Sequence, residues 1–382
     1  MMNIPFNRPW ISGLEVAYIT EVLQSGHLSG NGAKTKACQE ILKEITGCES
    51  ALLTQSCTAA LEMAALVTGI GEGDEVIMPS YTFVSTANAF LLRGAIPVFV
   101  DIRPDTLNID ENQVESAITE KTKAIVPVHY AGVPCDMGRI LEVAKSYNLL
   151  VISDAAQAIG SSYEGSDVSS IGDFSTLSFH ETKNISSGEG GALLINNLDF
   201  AERANVVWEK GTNRKAFFEG IVDKYTWIDL GSSYLPSEIT ATILLSQLKS
   251  REFILKERFK IWNFYHSYFQ VLEEDGILRR PIIPDNCLHN AHMYYILLDV
   301  NKFERGEFLD KLRALGIHAV FHYLPLHNSP AGLKYGRSVG QLKNTIKASY
   351  SLVRLPLWIG LSDSELTYIC KKVDETLRLM QK

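Results

Sequence analysis

Short apolar runs alternating with amphipathic helical stretches fill the first two hundred residues and leave this chain few folds to choose from. The runs are Ala51 to Thr54, Glu75 to Met78, Pro97 to Asp101, Ala124 to Val128 and Leu149 to Ser153. Helical patterns cover Ala59 to Val67, the residues leading to Phe90, and Met137 to Tyr147. Strands that alternate with helices predict an α/β fold around a mostly parallel sheet. AIVPV and LLVIS are apolar without a break, as strands covered on both faces must be. Ahead of them, residues 12–48 read as two helices separated by the glycine-containing stretch Gly26 to Gly32. Phe174 to Phe179 and Gly191 to Ile195 follow with no helix between them, which predicts two further strands extending the sheet. From Pro236 to Glu274 the pattern is that of one long helix bridging to a smaller C-terminal part. There, Tyr294 to Val300 and His318 to Tyr323 read as strands, with two helices beside them. The expected division is a large α/β unit over residues 1–250 and a small α+β unit over 251–382.

Composition narrows the function. The chain has 382 residues, 46% of them hydrophobic, enough for a sizeable core. Its net charge of −8, with no clustered Lys or Arg, argues against a nucleic-acid partner. MMNIPFNRPW lacks the basic and apolar regions of a secretory leader, and no apolar run approaches the roughly 18 residues that a membrane span requires. The six cysteines are scattered without a C-x-x-C pair, which predicts reduced thiols rather than a disulfide framework or a metal site. The reading is a cytoplasmic globular protein.

Four places bear residues suited to chemistry. Lys183 lies in SFHETKN, in a turn of small and glycine residues (Gly188, Gly190, Gly191) after an apolar strand. It is either a surface residue of a strand connection or a nucleophile whose lowered pKa leaves a free amine for a carbonyl ligand. Ser56-Cys57-Thr58 joins a strand to a helix and is either an ordinary cap or an anion site on free amides. Asp154 stands at the carboxyl end of a strand, where open α/β sheets bind ligands, as a cap or as a carboxylate for a protonated ring nitrogen. Phe83 follows another strand and serves as core or as a stacking plate. No G-x-G-x-x-G or P-loop is present. Together these residues describe one ligand, a phosphorylated pyridine aldehyde. Its phosphate meets the Ser56–Thr58 amides and Ser178, its ring Phe83, its nitrogen Asp154 and its aldehyde Lys183.

With QSCTAALEMAAL, PSYTFVSTANAF, VPVHYAG, DAAQAIG, SFHETKN followed by GEGG, YLPLH and RLPL, the chain resembles the DegT/DnrJ/EryC1/StrS sugar aminotransferases over nearly its whole length. The resemblance implies pyridoxal 5'-phosphate and the fold type I of its enzymes. It makes Lys183 the Schiff-base lysine and Asp154 the partner of the pyridine nitrogen. Gln157 falls near the ring hydroxyl and Phe83 on the ring, with Cys57, Thr58 and Ser178 on the phosphate. Ser233 stands where many relatives carry an asparagine that reaches the neighbouring subunit's phosphate, so a homodimer with shared sites is implied. KGTNR, DKYTW and GSSY resemble the branch that makes TDP-4-amino-4,6-dideoxygalactose from TDP-4-keto-6-deoxyglucose for enterobacterial common antigen. On that reading L-glutamate is the amino donor, and Lys210, Asn213, Arg214, Tyr225, Tyr323 and His327 are candidates for the nucleotide sugar. Other 3- or 4-amino sugar products are the alternatives. A dehydratase of the same family would carry histidine in place of Lys183, and a non-catalytic relative would have lost Lys183 or Asp154.

Overall fold

The computed structural model describes residues 2–381. Eight strands form the main sheet, in the spatial order Ser50–Thr54, Gly191–Ile195, Phe174–Ser178, Leu150–Asp154, Thr122–Ile125, Glu75–Pro79, Ile96–Val100 and Arg337–Ser338. All pairs are parallel except the two that involve Gly191–Ile195. The α/β expectation of a mostly parallel mixed sheet holds. The two strands flanking the lysine turn do not extend the sheet at its edge, however. Gly191–Ile195 is interior, because Ser50–Thr54 pairs along its whole length and closes that side.

The two-residue period of the strands sorts their side chains onto two faces. In Gly191–Ile195, Ala192 and Leu194 join one buried cluster and Leu193 and Ile195 the other. Val76 and Met78 likewise face away from Ile77. Each such fully buried side chain contributes about 1.5–3 kcal/mol of transfer free energy. Helices Ala33–Thr46, Met137–Tyr147 and Glu238–Lys249 cover the first face, and Cys57–Val67 and Ala201–Trp208 cover the second. Since the parallel strands run one way, their carboxyl ends share one edge, and Thr54, Pro79, Asp154 and Ser178 all end there.

A second, antiparallel sheet of Leu278–Arg279, Tyr294–Leu298 and Leu352–Leu355 has its own core with helices Arg251–Tyr268, Arg305–Ala314 and Asp363–Met380. Ile4 packs in that core and bridges Ile317.

Two expectations in this region require correction. The long helix is interrupted twice, giving Glu238–Lys249, Arg251–Tyr268 and Gln270–Glu274. At the first break the Ser250 hydroxyl donates to the Ser246 carbonyl at 3.0 Å, a local bond of the kind that competes with continued helix. His318 to Tyr323 is not a strand. Only Val320 pairs, with Arg354, and the chain then turns so that His322 stacks on Tyr323 at 3.7 Å before Pro325. Among the described residues no helix is long and apolar enough to cross a membrane, and no group of three or more His, Cys, Asp or Glu is placed to hold a metal ion.

Candidate active site

The site is built from loops leaving the shared carboxyl edge of the main sheet. Asp154 ends its strand buried, and its carboxylate accepts from the Thr86 hydroxyl at 2.8 Å and the Ala156 amide at 3.1 Å. Thr86 lies one helical turn beyond Phe83, which caps helix Val84–Leu91, so ring and hydroxyl donor face one region. Burial pushes the Asp154 carboxyl up, while Thr86, Ala156 and the charge of Lys183 pull it back. A carboxylate held out of water with two donors on its oxygens is poised to meet a cationic N–H.

Lys183 sits in a turn fixed from both sides. The Lys183 amide donates to the His180 carbonyl at 2.9 Å. Behind it, Phe179 exchanges backbone bonds of 2.8 Å with Gly190 and Ser187. The neighbouring Asn184 is buried; its amide donates to the Asn290 carbonyl at 2.7 Å and its oxygen lies 3.1 Å from His292 Nδ1. The turn's backbone is thus pinned by strand and C-terminal core alike, and the Lys183 side chain is half-buried. Burial depresses its pKa, Cys57 and Asp154 oppose that, and Arg354 adds to it. The direction of that shift favours the nucleophile reading of Lys183 over the surface-residue reading.

Ser56 caps helix Cys57–Val67 by accepting from Ala59 N at 3.1 Å. The cap satisfies one donor and leaves the Cys57 and Thr58 amides of the first turn without intrahelical acceptors. The Thr58 hydroxyl pairs with Ser85 at 2.7 Å, which ties this helix end to the one that carries Phe83. Ser178 pairs in register with Gly191, and a Cβ on Gly191 would run into the backbone of Ser56 and Cys57. That glycine is needed so the strand can pass beneath the strand-to-helix turn.

Gln157 bridges two walls. Its oxygen accepts from the Ala131 amide at 2.7 Å, and its amide donates to the Tyr323 hydroxyl at 2.9 Å. Tyr323 comes from the C-terminal part, 6.4 Å from the Phe83 ring, and Phe83 itself is 55% exposed. A large aromatic left open beside a buried carboxylate and a buried amine suits a flat ring better than core packing. Cys57, Thr58, Phe83, Asp154, Gln157, Ser178, Lys183 and Tyr323 thus converge.

The remaining sequence candidates lie elsewhere. Lys210, Arg214 and Ser233 line a groove of about 790 Å³ with His27, Lys36 and Trp208; neither Lys183 nor Asp154 borders it. Asn213 holds its own loop, accepting from Thr226 N at 2.7 Å and donating to the Lys224 carbonyl at 3.1 Å. Tyr225 is exposed on that loop. His327 is buried, its Nδ1 2.6 Å from the Ser80 hydroxyl. Sequence reasoning missed Thr86, Asn184, His292 and Arg354. Thr86 was findable from its spacing to Phe83, but the others enter from the C-terminal part or through a pairing no local pattern announces.

Residues 10–374 match the model of the DegT/DnrJ/EryC1/StrS aminotransferase family. The spore coat polysaccharide biosynthesis protein SpsC of Bacillus subtilis is 34% identical over 389 aligned positions, covering 98% of this chain and 97% of SpsC. The putative sugar aminotransferase Spr1654 of Streptococcus pneumoniae, in its PMP form, superimposes with a TM-score of 0.91 at 29% identity, covering 99% of this chain and all of that one. The PLP form of Spr1654 has also been determined. DesI in the presence of its TDP-sugar product gives a TM-score of 0.89 at 26% identity over all of this chain and 94% of that one.

Proposed function

Because the chain belongs to the DegT/DnrJ/EryC1/StrS aminotransferase family, we propose that it moves an amino group from L-glutamate to the C4 ketone of a TDP-4-keto-6-deoxyhexose, giving TDP-4-amino-4,6-dideoxygalactose. The family and the PLP and PMP forms of its structural neighbour identify the cofactor as pyridoxal phosphate. When bound, it supplies an electron-accepting ring through which an amino group and a proton pass between two carbonyl carbons. The observation that carries the reading is the half-buried Lys183 close enough to the buried Asp154 carboxylate that each shifts the other's protonation.

The residues present fit that cofactor. The amides of Cys57 and Thr58 at a helix N-terminus, with the hydroxyls of Thr58 and Ser178, would hold the phosphate. The open Phe83 ring would stack on the pyridine, and Gln157 would lie near the ring hydroxyl. Asp154 would keep a proton on the ring nitrogen, which makes the ring a better electron sink. Lys183, its pKa lowered by burial, would attack the cofactor's carbonyl carbon as the free amine and later carry the proton between the two carbons. The pinned turn keeps its reach constant through both roles.

For the sugar, support comes from the branch motifs and from DesI, whose structure contains a TDP-sugar product. The product decides the matter. With TDP-4-keto-6-deoxyglucose and L-glutamate, NMR should find a new amine at C4 in the galacto configuration. An amine at C3 overturns the sugar assignment, and protein that develops no visible absorption with added pyridoxal phosphate overturns the whole reading.

A homodimer is part of the same proposal. The loop from Arg214 to Leu230 exposes Phe218 at 72%, Ile221 at 70% and Trp227 at 75%, more apolar surface than a single loop usually leaves in water. A second copy of this chain is the natural cover, because Ser233, Lys210 and Arg214 lie beside that loop and would then reach the neighbour's site. Sedimentation equilibrium should give twice the 42.5 kDa chain mass, and Trp227→Asp should shift the mass toward monomer and lower activity with it. A monomeric, fully active wild type contradicts this assembly.

A further inference from the structure

Residues 289–292 run without regular structure between the strands Cys287–Leu288 and Tyr294–Leu298, and all four are buried. A buried segment outside a ladder must satisfy its backbone groups with side chains. Here the Ala291 and His292 carbonyls accept from Arg258 at 3.1 and 2.5 Å. The Ala291 amide donates to His289 Nδ1 and the His292 amide to Asn290 Oδ1, each at 3.1 Å. Ala291 takes a φ of 50°, a left-handed conformation that a non-glycine residue keeps only where its surroundings hold it. So much support for four irregular residues calls for a reason.

Asn290 supplies one. Its side-chain amide donates to the Gln157 carbonyl at 2.8 Å and the Ile159 carbonyl at 2.9 Å, just beyond Asp154. Its own carbonyl accepts from the Asn184 amide at 2.7 Å, and Asn184 is the neighbour of Lys183. Gly132 leaves the room for this, since a Cβ there would collide with the Asn290 oxygen. Ladder pairing between the two strands that lead into the site ends at Asp154 and Thr176. Past that point the Asn290 bonds join the chain that follows Asp154 to the turn that carries Lys183, using neither reacting side chain. We propose that Asn290 is a positioning residue, which sets the spacing of the Lys183 turn from the Asp154–Gln157 wall so that the amine meets the carbonyl carbon of bound pyridoxal phosphate. The wall has anchors of its own, Thr86 and Ala156 on Asp154 and Ala131 and Tyr323 on Gln157. Loss of Asn290 therefore leaves the wall standing and frees the lysine turn relative to it. A misplacement of about 1 Å at reacting atoms can cost on the order of 10²-fold in rate.

This inference rests on the transaminase reading, and the test separates the two. Cofactor-free protein is mixed with pyridoxal phosphate, and the growth of visible absorption is followed by stopped flow. Binding of 4-deoxypyridoxine 5'-phosphate, which lacks the aldehyde, is measured by calorimetry. In Asn290→Leu, capture by Lys183 should slow about 10- to 100-fold, while the Kd of the aldehyde-free analogue changes by less than about threefold. Asn184→Leu cuts the same link at its other end, so the double variant should be no more than about threefold slower than the slower single variant. A purely structural role would lower the melting temperature without separating capture from analogue binding. Asn290→Ser keeps a hydroxyl donor and should fall between, and it serves as the test if the leucine variant does not fold. Capture at the wild-type rate in the folded variants overturns the inference. So does an equal weakening of analogue binding, or losses that multiply in the double variant. Wild-type protein that gains no visible absorption fails the transaminase reading itself, whatever Asn290 does.

Discussion

Lys183→Ala is expected to abolish turnover, by on the order of 10⁴-fold or more, since one side chain is asked to serve as both nucleophile and proton carrier. The loss should come without unfolding. The turn is held by backbone bonds of Phe179, His180 and Ser187 and by the Asn184 amide, none of which uses the lysine side chain. Removing a partly desolvated amine that makes no hydrogen bond among the described residues should leave the melting temperature unchanged or raise it. Two readouts check this: the visible absorption of the lysine-linked cofactor, which should vanish in the variant, and the thermal melt, which should not fall. A variant that retains a tenth of wild-type turnover shows that another residue carries the proton. Retained absorption places the covalent attachment elsewhere.

Asp154→Asn should give the second largest effect, a fall in kcat of about 10²- to 10³-fold, as for loss of a preorganised electrostatic partner. The asparagine oxygen can still accept from Thr86 and Ala156, so the wall of the site should stand. What disappears is the negative charge that would stabilise a proton on the ring nitrogen. The carboxylate also leaves a signature in the cofactor-free protein. Its folded pKa is raised above the unfolded value by burial, so the native state binds the proton more tightly than the unfolded chain. Its stability contribution is fully present below about pH 3.9 and is lost as pH rises through the folded pKa. The variant should therefore show a flatter dependence of unfolding free energy on pH just above that point, measured by urea titration. A slope identical to wild type contradicts a buried, proton-retaining Asp154. A kcat within threefold of wild type contradicts its role at the ring.

Much of the site was readable because it follows strands. Open α/β sheets carry their ligands at the carboxyl edge, and in a parallel sheet that edge is known as soon as the strands are. Asp154, Ser178 and the Ser56–Thr58 turn each sit at the end of an apolar run, so their convergence follows from counting. Phe83 is ambiguous as a residue type, and its exposure argues against the core reading. Gly191 looks in the sequence like any turn glycine, whereas a Cβ there would meet the Ser56–Cys57 backbone. A residue's type gives its freedom, and only packing shows what uses it.

The C-terminal part was harder. The alternating His318 to Tyr323 looks like a strand, but its side chains belong to a wall facing another part of the chain, and stacking of His322 on Tyr323 outweighs further pairing. Long-range partners such as Thr86 for Asp154, His292 for Asn184, and Tyr323 for Gln157 leave no local period to detect. By itself, the sequence of this protein determined the α/β order, the edge where chemistry happens, and a lysine and a carboxylate within reach of it. The tertiary structure alone decided that the lysine's pKa is depressed, because that depends on what packs around the turn. It alone also left the Arg354 Nε, on a strand of the C-terminal sheet, without a partner among the described residues. Hydrophobic periodicity is a local property, and charge burial is a property of the assembled fold.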